Sequence, residues 1–185
     1  MSSFWLETTK SPSFSKLEGN KYADVCIIGA GITGLTLGYL LSKHGLSVRI
    51  LERESVCSGV TANTTGKLTS QHSLFYHYLV NTFGKETAIS YLRSNENAIS
   101  SVKDIIDKEQ INCDFEWQDA FVYTNNEKEL QNIRIEVETL KSLDFNATFE
   151  ENLPLPFKTL GGICFHKQAQ FHARKYCLGL ARYLT

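Results

Sequence analysis

The stretch VCIIGAGITGL, residues 25–35, constrains this chain more than any other. A short apolar run meets Gly29-Ala30-Gly31 and then Gly34, the spacing G-x-G-x-x-G. Residues 22–28 read as a buried strand. Residues 32–44 read as a helix stopped by Gly45, and residues 47–51 as a second strand ending at an acidic residue, Glu52. Strand, glycine turn, helix, strand and an acidic side chain about twenty positions on make up the dinucleotide-binding pattern. Each part has a physical task. Gly29 allows the tight turn, Gly31 lets a pyrophosphate approach bare backbone, and Gly34 lets helix and sheet pack closely. The helix start at Ile32 and Thr33 offers unpaired N–H groups to phosphate. The Glu52 carboxylate can accept both hydroxyls of an adenosine ribose and would repel a 2′-phosphate, although Arg53 beside it works against that repulsion.

Composition excludes other classes. The net charge of -1 over 185 residues argues against nucleic acid or a membrane surface as partner. The apolar stretch at residues 22–41 is interrupted by Asp24 and by Gly29, Gly31, Gly34 and Gly38, so no membrane span is expected. Residues 1–20 lack the apolar core of a secretory signal and read as an irregular arm. Five cysteines, with no C-x-x-C pair, suit a reducing compartment, and a cytoplasmic location is expected. His166 and His172 are read as separated by a loop and making no metal pattern with a cysteine, and no Rieske-type C-x-H pair is read, so neither a metal ion nor an iron–sulfur cluster is expected.

Both NAD and FAD fit the first strand–helix–strand. The segment after Glu52 separates them. Ser58, Gly59, Thr61, Thr64, Thr65 and Gly66 form a loop of small and hydroxyl residues before any helix resumes. Such a loop can lie along a long cofactor and donate to it, which favours FAD, while a solvated Ser/Thr loop is the plainer alternative. Apolar spacing predicts helices at about 86–108 and 127–142. Alternation predicts a strand or hairpin arm around 113–125, on which Trp117 and Phe121 face a core or a substrate cavity. GGICFH reads as a short strand and HARKYCLGLARYL as a closing helix. Cys57 reads as a small buried thiol rather than a flavin link, and His72 and His77 as helix-surface residues.

The segment ADVCIIGAGITGLTLGYLLSKHGLSVRILERESVCSGVTANTTGKLTS resembles the N-terminus of the DAO-type FAD-dependent oxidoreductases, which include glycine, sarcosine and D-amino-acid oxidases. FWLETTKSPSFSKLEGN, CDFEWQDAFVYT and KQAQFHARKYCLGLA are similar to segments of a bacterial subgroup that carries a C-terminal Rieske domain. Ala173 stands where that subgroup usually has proline. The resemblance implies an α/β fold: a Rossmann-like FAD-binding βαβ with a parallel sheet, plus the start of a mixed α+β substrate domain. The implied layout is an arm at 1–20, the N-terminal part of the FAD-binding domain at 21–75, helices and the start of the substrate domain at 76–170, and a helix returning toward the FAD-binding domain at 171–185. It places Ile32 and Thr33 at the pyrophosphate, Glu52 and Arg53 beside the ribose, and Val60, Thr61, Thr65, Gly66 and Lys67 on the flavin side. FAD is the expected cofactor and a small molecule the expected donor, with an amine-bearing one the candidate class; no catalytic residue is named. An NAD-linked dehydrogenase and an inactive remnant are the alternatives. The resemblance also implies that further segments complete the site. The chain alone is therefore expected to turn over no substrate, to bind FAD weakly or not at all, and to self-associate or depend on a missing C-terminal portion.

Overall fold

The computed structural model describes residues 3–185. In chain order the elements are α1 (Phe4–Glu7), β1 (Val25–Ile28), α2 (Ile32–Lys43), β2 (Val48–Leu51), a 3-10 turn (Val60–Asn63), β3 (Lys67–Leu68), α3 (Tyr76–Phe83), α4 (Lys85–Lys108), β4 (Glu116–Thr124), α5 (Glu127–Ser142), β5 (Ala147–Glu150), β6 (Gly161–Gln170) and α6 (Ala173–Tyr183). They form two units. The first holds residues 1–67, 104–115 and 171–185, and the second holds residues 68–103 and 116–170.

In the first unit β1 and β2 run parallel in the register Val25↔Val48 to Ile28↔Leu51, with α2 as the crossover. Leu35 and Tyr39 of α2 are buried, as is Ile27 of β1, while Cys26 and Ile28 on the alternate positions of β1 are exposed. Gly38 belongs to this packing, because a Cβ there would come within 2.7 Å of Ile50 Cδ1. Among the described residues no helix is long and apolar enough to cross a membrane.

The N-terminal arm departs from the irregular segment expected. It opens with α1, whose N-cap Ser3 accepts from the Trp5 N–H at 3.3 Å. Trp5 Nε1 donates to Thr64 O at 2.7 Å, and its ring meets that of His172 edge-on at 4.6 Å between centroids. His172 caps α6 by accepting from the Lys175 N–H, and its Nε2 lies 3.0 Å from Thr8 Oγ1. Burial holds its pKa below the ordinary histidine value, which favours the neutral ring that this capping role requires.

In the second unit β6 pairs antiparallel with β4 on one side and with β5 on the other. Ile163 and Phe165 of β6 pack with Tyr76, Leu79, Leu92, Ile133, Val137 and Leu140 into the core beneath α3, α4 and α5. β6 is longer than the short strand expected from GGICFH, because its pairing with β4 continues past a bulge to Gln170. A buried carboxyl group, Glu136 of α5, accepts from the N–H groups of Tyr76 at 2.6 Å and His77 at 2.8 Å, so one helix caps the next. Glu136→Ala is expected to cost about 3 kcal/mol, since the buried Tyr76 N–H and the partly buried His77 N–H lose their acceptor. Urea denaturation measures the loss; an unchanged midpoint would show that water replaces the cap.

Candidate functional site

β1 ends at Ile28, and the chain turns at Gly29, where φ is +104°, a conformation that a Cβ would strain. The Gly29 N–H donates to Leu51 O at 2.7 Å, which extends the ladder by one bond into the turn. Gly34, one turn into α2, is closed to any side chain, because a Cβ would stand 2.0 Å from Gly29 O. Gly31 differs: its nearest neighbour would be Thr61 Oγ1 at 3.3 Å, the tip of a side chain. Gly31 is the N-cap of α2 and brings no side chain to cap the helix start. The Ile32 N–H donates to Thr61 Oγ1 at 3.1 Å, while Thr33 is exposed. Gly29, Ala30, Gly31, Ile32, Thr33 and Gly34 thus form one turn at the positive end of a helix, a geometry suited to phosphate.

Glu52 follows β2 and reaches this turn. Its Oε2 accepts from the Ala30 N–H at 2.9 Å and its Oε1 from the Glu54 N–H at 3.0 Å. These bonds, Ala30's first, hold its pKa below the ordinary glutamate value. Each oxygen keeps a further acceptor site directed to solvent. Arg53 points away, with its side chain 90% exposed and paired to Glu54 at 3.1 Å.

The loop after Glu52 folds back on the glycine turn. The Cys57 N–H donates to Ala30 O at 3.0 Å, and the Cys57 thiol is buried against the same carbonyl. Thr61 and Gly66 are buried, whereas Val60, Thr65 and Lys67 are exposed. Gly66 O accepts from the Phe171 N–H at 3.0 Å. Thr61 is therefore the loop residue brought against the helix start.

Arg174 was not singled out in the sequence, yet it holds this loop. It is fully buried. Its Nε donates to Cys57 O at 3.2 Å, its Nη1 to Thr9 O at 3.3 Å and to Thr9 Oγ1, and its Nη2 to Ser11 Oγ at 2.6 Å. These partners are carbonyls and hydroxyls from the arm and the loop, so no charge pattern in the sequence announces them.

In the second unit His77 lies on α3 as expected, whereas His72 precedes that helix and is not a helix residue; both are exposed, with contacts to Thr139 at 3.2 Å and Asn95 at 3.3 Å respectively. The sequence reading of His166 needs correction. It lies within β6 rather than at a loop, and with Cys164 it forms a Cys-x-His pair on one face of the strand. With Asp119 these residues offer three ligand atoms within 4.8 Å of one another. The C-x-x-H pair that would complete a Rieske ligand set does not occur in the sequence.

Comparison with known proteins agrees with this architecture. The chain is 39% identical over 177 residues to YhfW of Bacillus subtilis (strain 168), described as a Rieske 2Fe-2S iron–sulfur protein; the match covers 96% of this chain and 35% of that one. It is 25% identical to gamma-glutamylputrescine oxidoreductase of Escherichia coli (strain K12), over 94% of this chain and 45% of the relative. The crystal structure of glycine oxidase from Geobacillus kaustophilus superposes with a TM-score of 0.69 at 18% identity, covering 88% of this chain and 44% of that one. The chain thus spans between about a third and a half of the length of these relatives. Residues 24–185 match the family described as FAD dependent oxidoreductase, which takes in both the glycine turn and the β4–β6 sheet. The chain belongs to the DAO family of FAD-dependent oxidoreductases.

Proposed function

We propose that this chain holds the ADP portion of FAD in an oxidoreductase that takes hydride from an amine donor. The observation that carries the reading is the joining of Glu52 to the glycine turn through the Ala30 N–H at 2.9 Å. That bond sets a ribose acceptor beside a phosphate-binding helix start. The site fits the cofactor: Gly31 leaves backbone uncovered, and an ideal Cβ at Gly29 or Gly59 would meet nothing within 4 Å.

Bound FAD would supply the hydride acceptor. The chain's own groups bind and orient. The N–H groups at Ile32 and Thr33 would hold the pyrophosphate, and the Thr61 hydroxyl, which accepts from the Ile32 N–H, would share that contact. Glu52 would accept from the ribose hydroxyls while the Ala30 and Glu54 N–H groups hold it in place. An amine donor is supported by the similarity to gamma-glutamylputrescine oxidoreductase and to glycine oxidase. The five cysteines are all free, which supports a reducing, cytoplasmic setting. The test is anaerobic mixing of the FAD-loaded protein with a panel of primary and secondary amines and 2-hydroxy acids. Bleaching of the flavin absorbance by an amine is expected. Bleaching by hydroxy acids alone would contradict the donor class.

Glu52→Gln is expected to weaken FAD by about 1–3 kcal/mol, the range for hydrogen bonds to a charged group. One amide cannot accept from both the Ala30 and Glu54 N–H groups with its two ends, so the turn is disturbed as well. The pH dependence has a definite sign. Because the folded pKa is depressed, the stabilising contribution of Glu52 is complete above the ordinary glutamate pKa of about 4.3 and is lost as pH falls through the lowered value. Equilibrium dialysis of FAD against parent and variant reads the affinity change; equal dissociation constants would remove Glu52 from the ribose.

A further inference from the structure

β6 has a bulge. Gln118 pairs with Gln168 and Ala120 with Phe165, so His166 and Lys167 together stand opposite the single residue Asp119. Lys167 takes up the extra length with φ of +55°. Alternation puts Asp119, two residues before Phe121, and His166, two residues after Cys164, on the face that carries Cys164, opposite the face where Ile163 and Phe165 enter the core. His166 Nδ1 then lies 3.0 Å from Asp119 Oδ2 and 3.5 Å from Cys164 Sγ.

These separations have a specific meaning. Zinc bond lengths to sulfur, nitrogen and oxygen, taken with a tetrahedral angle, place neighbouring ligand atoms roughly 3.3–3.6 Å apart. The two observed distances come within about half an ångström of that range. The groups behind the ligands are arranged as a metal site requires. Thr148 Oγ1 donates to Glu150 Oε1 at 2.7 Å, which uses its only proton. Its 3.0 Å contact with His166 Nε2 must then be a bond donated by the ring. With Nε2 engaged by Thr148, Nδ1 is the ring nitrogen that faces the Asp119 carboxylate oxygen. The other oxygen of Asp119 accepts from the Lys167 N–H at 3.1 Å, which fixes the carboxylate with Oδ2 forward.

We propose that Cys164 Sγ, His166 Nδ1 and Asp119 Oδ2 bind a divalent ion of the zinc class, with water in the fourth position. Sulfur, nitrogen and oxygen ligands in tetrahedral array select zinc over magnesium or calcium, which take oxygen ligands. Asp119 and His166 are partly exposed, at 42% and 33% of their side chains, so solvent reaches the fourth position. Binding releases the Cys164 thiol proton to solvent, together with any proton held at Nδ1. The ion ties β4 to β6 where the bulge interrupts their ladder.

The probe is cobalt(II), titrated into the chain under reducing conditions. A thiolate-to-cobalt charge-transfer band in the near ultraviolet, saturating at one ion per chain, is the expected result. Zinc abolishes the band and magnesium does not. Zinc also raises the thermal unfolding midpoint in a concentration-dependent way. Cys164→Ser removes the band. Asp119→Asn, at an exposed side chain, keeps the fold and weakens zinc at least tenfold. Thr148→Ala, which does not touch the ion, weakens it roughly 10–100-fold through His166. A parent chain without the band at millimolar cobalt, a band that survives Cys164→Ser, or parent affinity in both Asp119→Asn and Thr148→Ala would overturn the assignment.

Discussion

Gly31→Val is expected to leave the first unit folded and to weaken FAD at least 100-fold, about 2.7 kcal/mol. The backbone at Gly31 is in ordinary extended conformation, with φ of -84°, so any residue can occupy it. A Cβ there meets only Thr61 Oγ1, at 3.3 Å. The branched side chain would instead stand where the pyrophosphate must approach. Gly34→Ala gives the opposite outcome. Its Cβ would sit 2.0 Å from Gly29 O, a backbone atom that cannot rotate away, so α2 must separate from β1. A stability loss upward of about 3 kcal/mol is expected, at the high end for overpacking. Equilibrium dialysis with FAD and thermal unfolding by circular dichroism distinguish the two. Unfolding of Gly31→Val, or unchanged FAD affinity in it, would remove Gly31 from the cofactor site.

Arg174→Ala is expected to cost about 3 kcal/mol and to release the arm. Hydrogen bonds from a charged donor contribute about 1.5–3 kcal/mol each, offset here by the desolvation of a buried cation. The loss falls on one place: Cys57 O, Thr9 and Ser11 all lose the group that gathers them. Arg174→Lys should recover little, since one ammonium cannot span the acceptors that the planar fork reaches. Limited proteolysis reads the arm directly, with cleavage expected near residues 8–12 in the variant and not in the parent. Equal protection in both would show that Trp5 and α1 hold the arm without Arg174.

How much of this was legible in the sequence depended on whether a feature is local. The strand–glycine turn–helix–strand was readable because period, glycine spacing and Glu52 all lie within residues 22–52. α5 matches its predicted limits, and α4 begins one residue before its own, because both carry a regular apolar stripe. α6 was readable for the same reason. The arm was not. Its short helix is held by Trp5 on Thr64 and by Thr8 on His172, contacts across 59 and 164 positions that leave no periodic trace. α3 is only eight residues long, and its capping group lies on another helix at Glu136. Cys164 and His166 share a face by alternation, but Asp119 joins them only through strand pairing across 47 positions, which leaves no local trace. Glu52 was placed beside the ribose from its position after β2, but its bond to the Ala30 N–H required the folded turn.

The central claim is that FAD is held by the glycine turn, Glu52 and the loop that follows. Backbone amide shifts of the isotope-labelled chain, followed by NMR through a titration to millimolar FAD, test it most directly, because they register weak binding as well as tight. The largest shifts are expected at residues 29–34, 52–54 and 57–66, and they disappear in Gly31→Val. Shifts concentrated elsewhere, an identical pattern in Gly31→Val, or no response at millimolar FAD would contradict it.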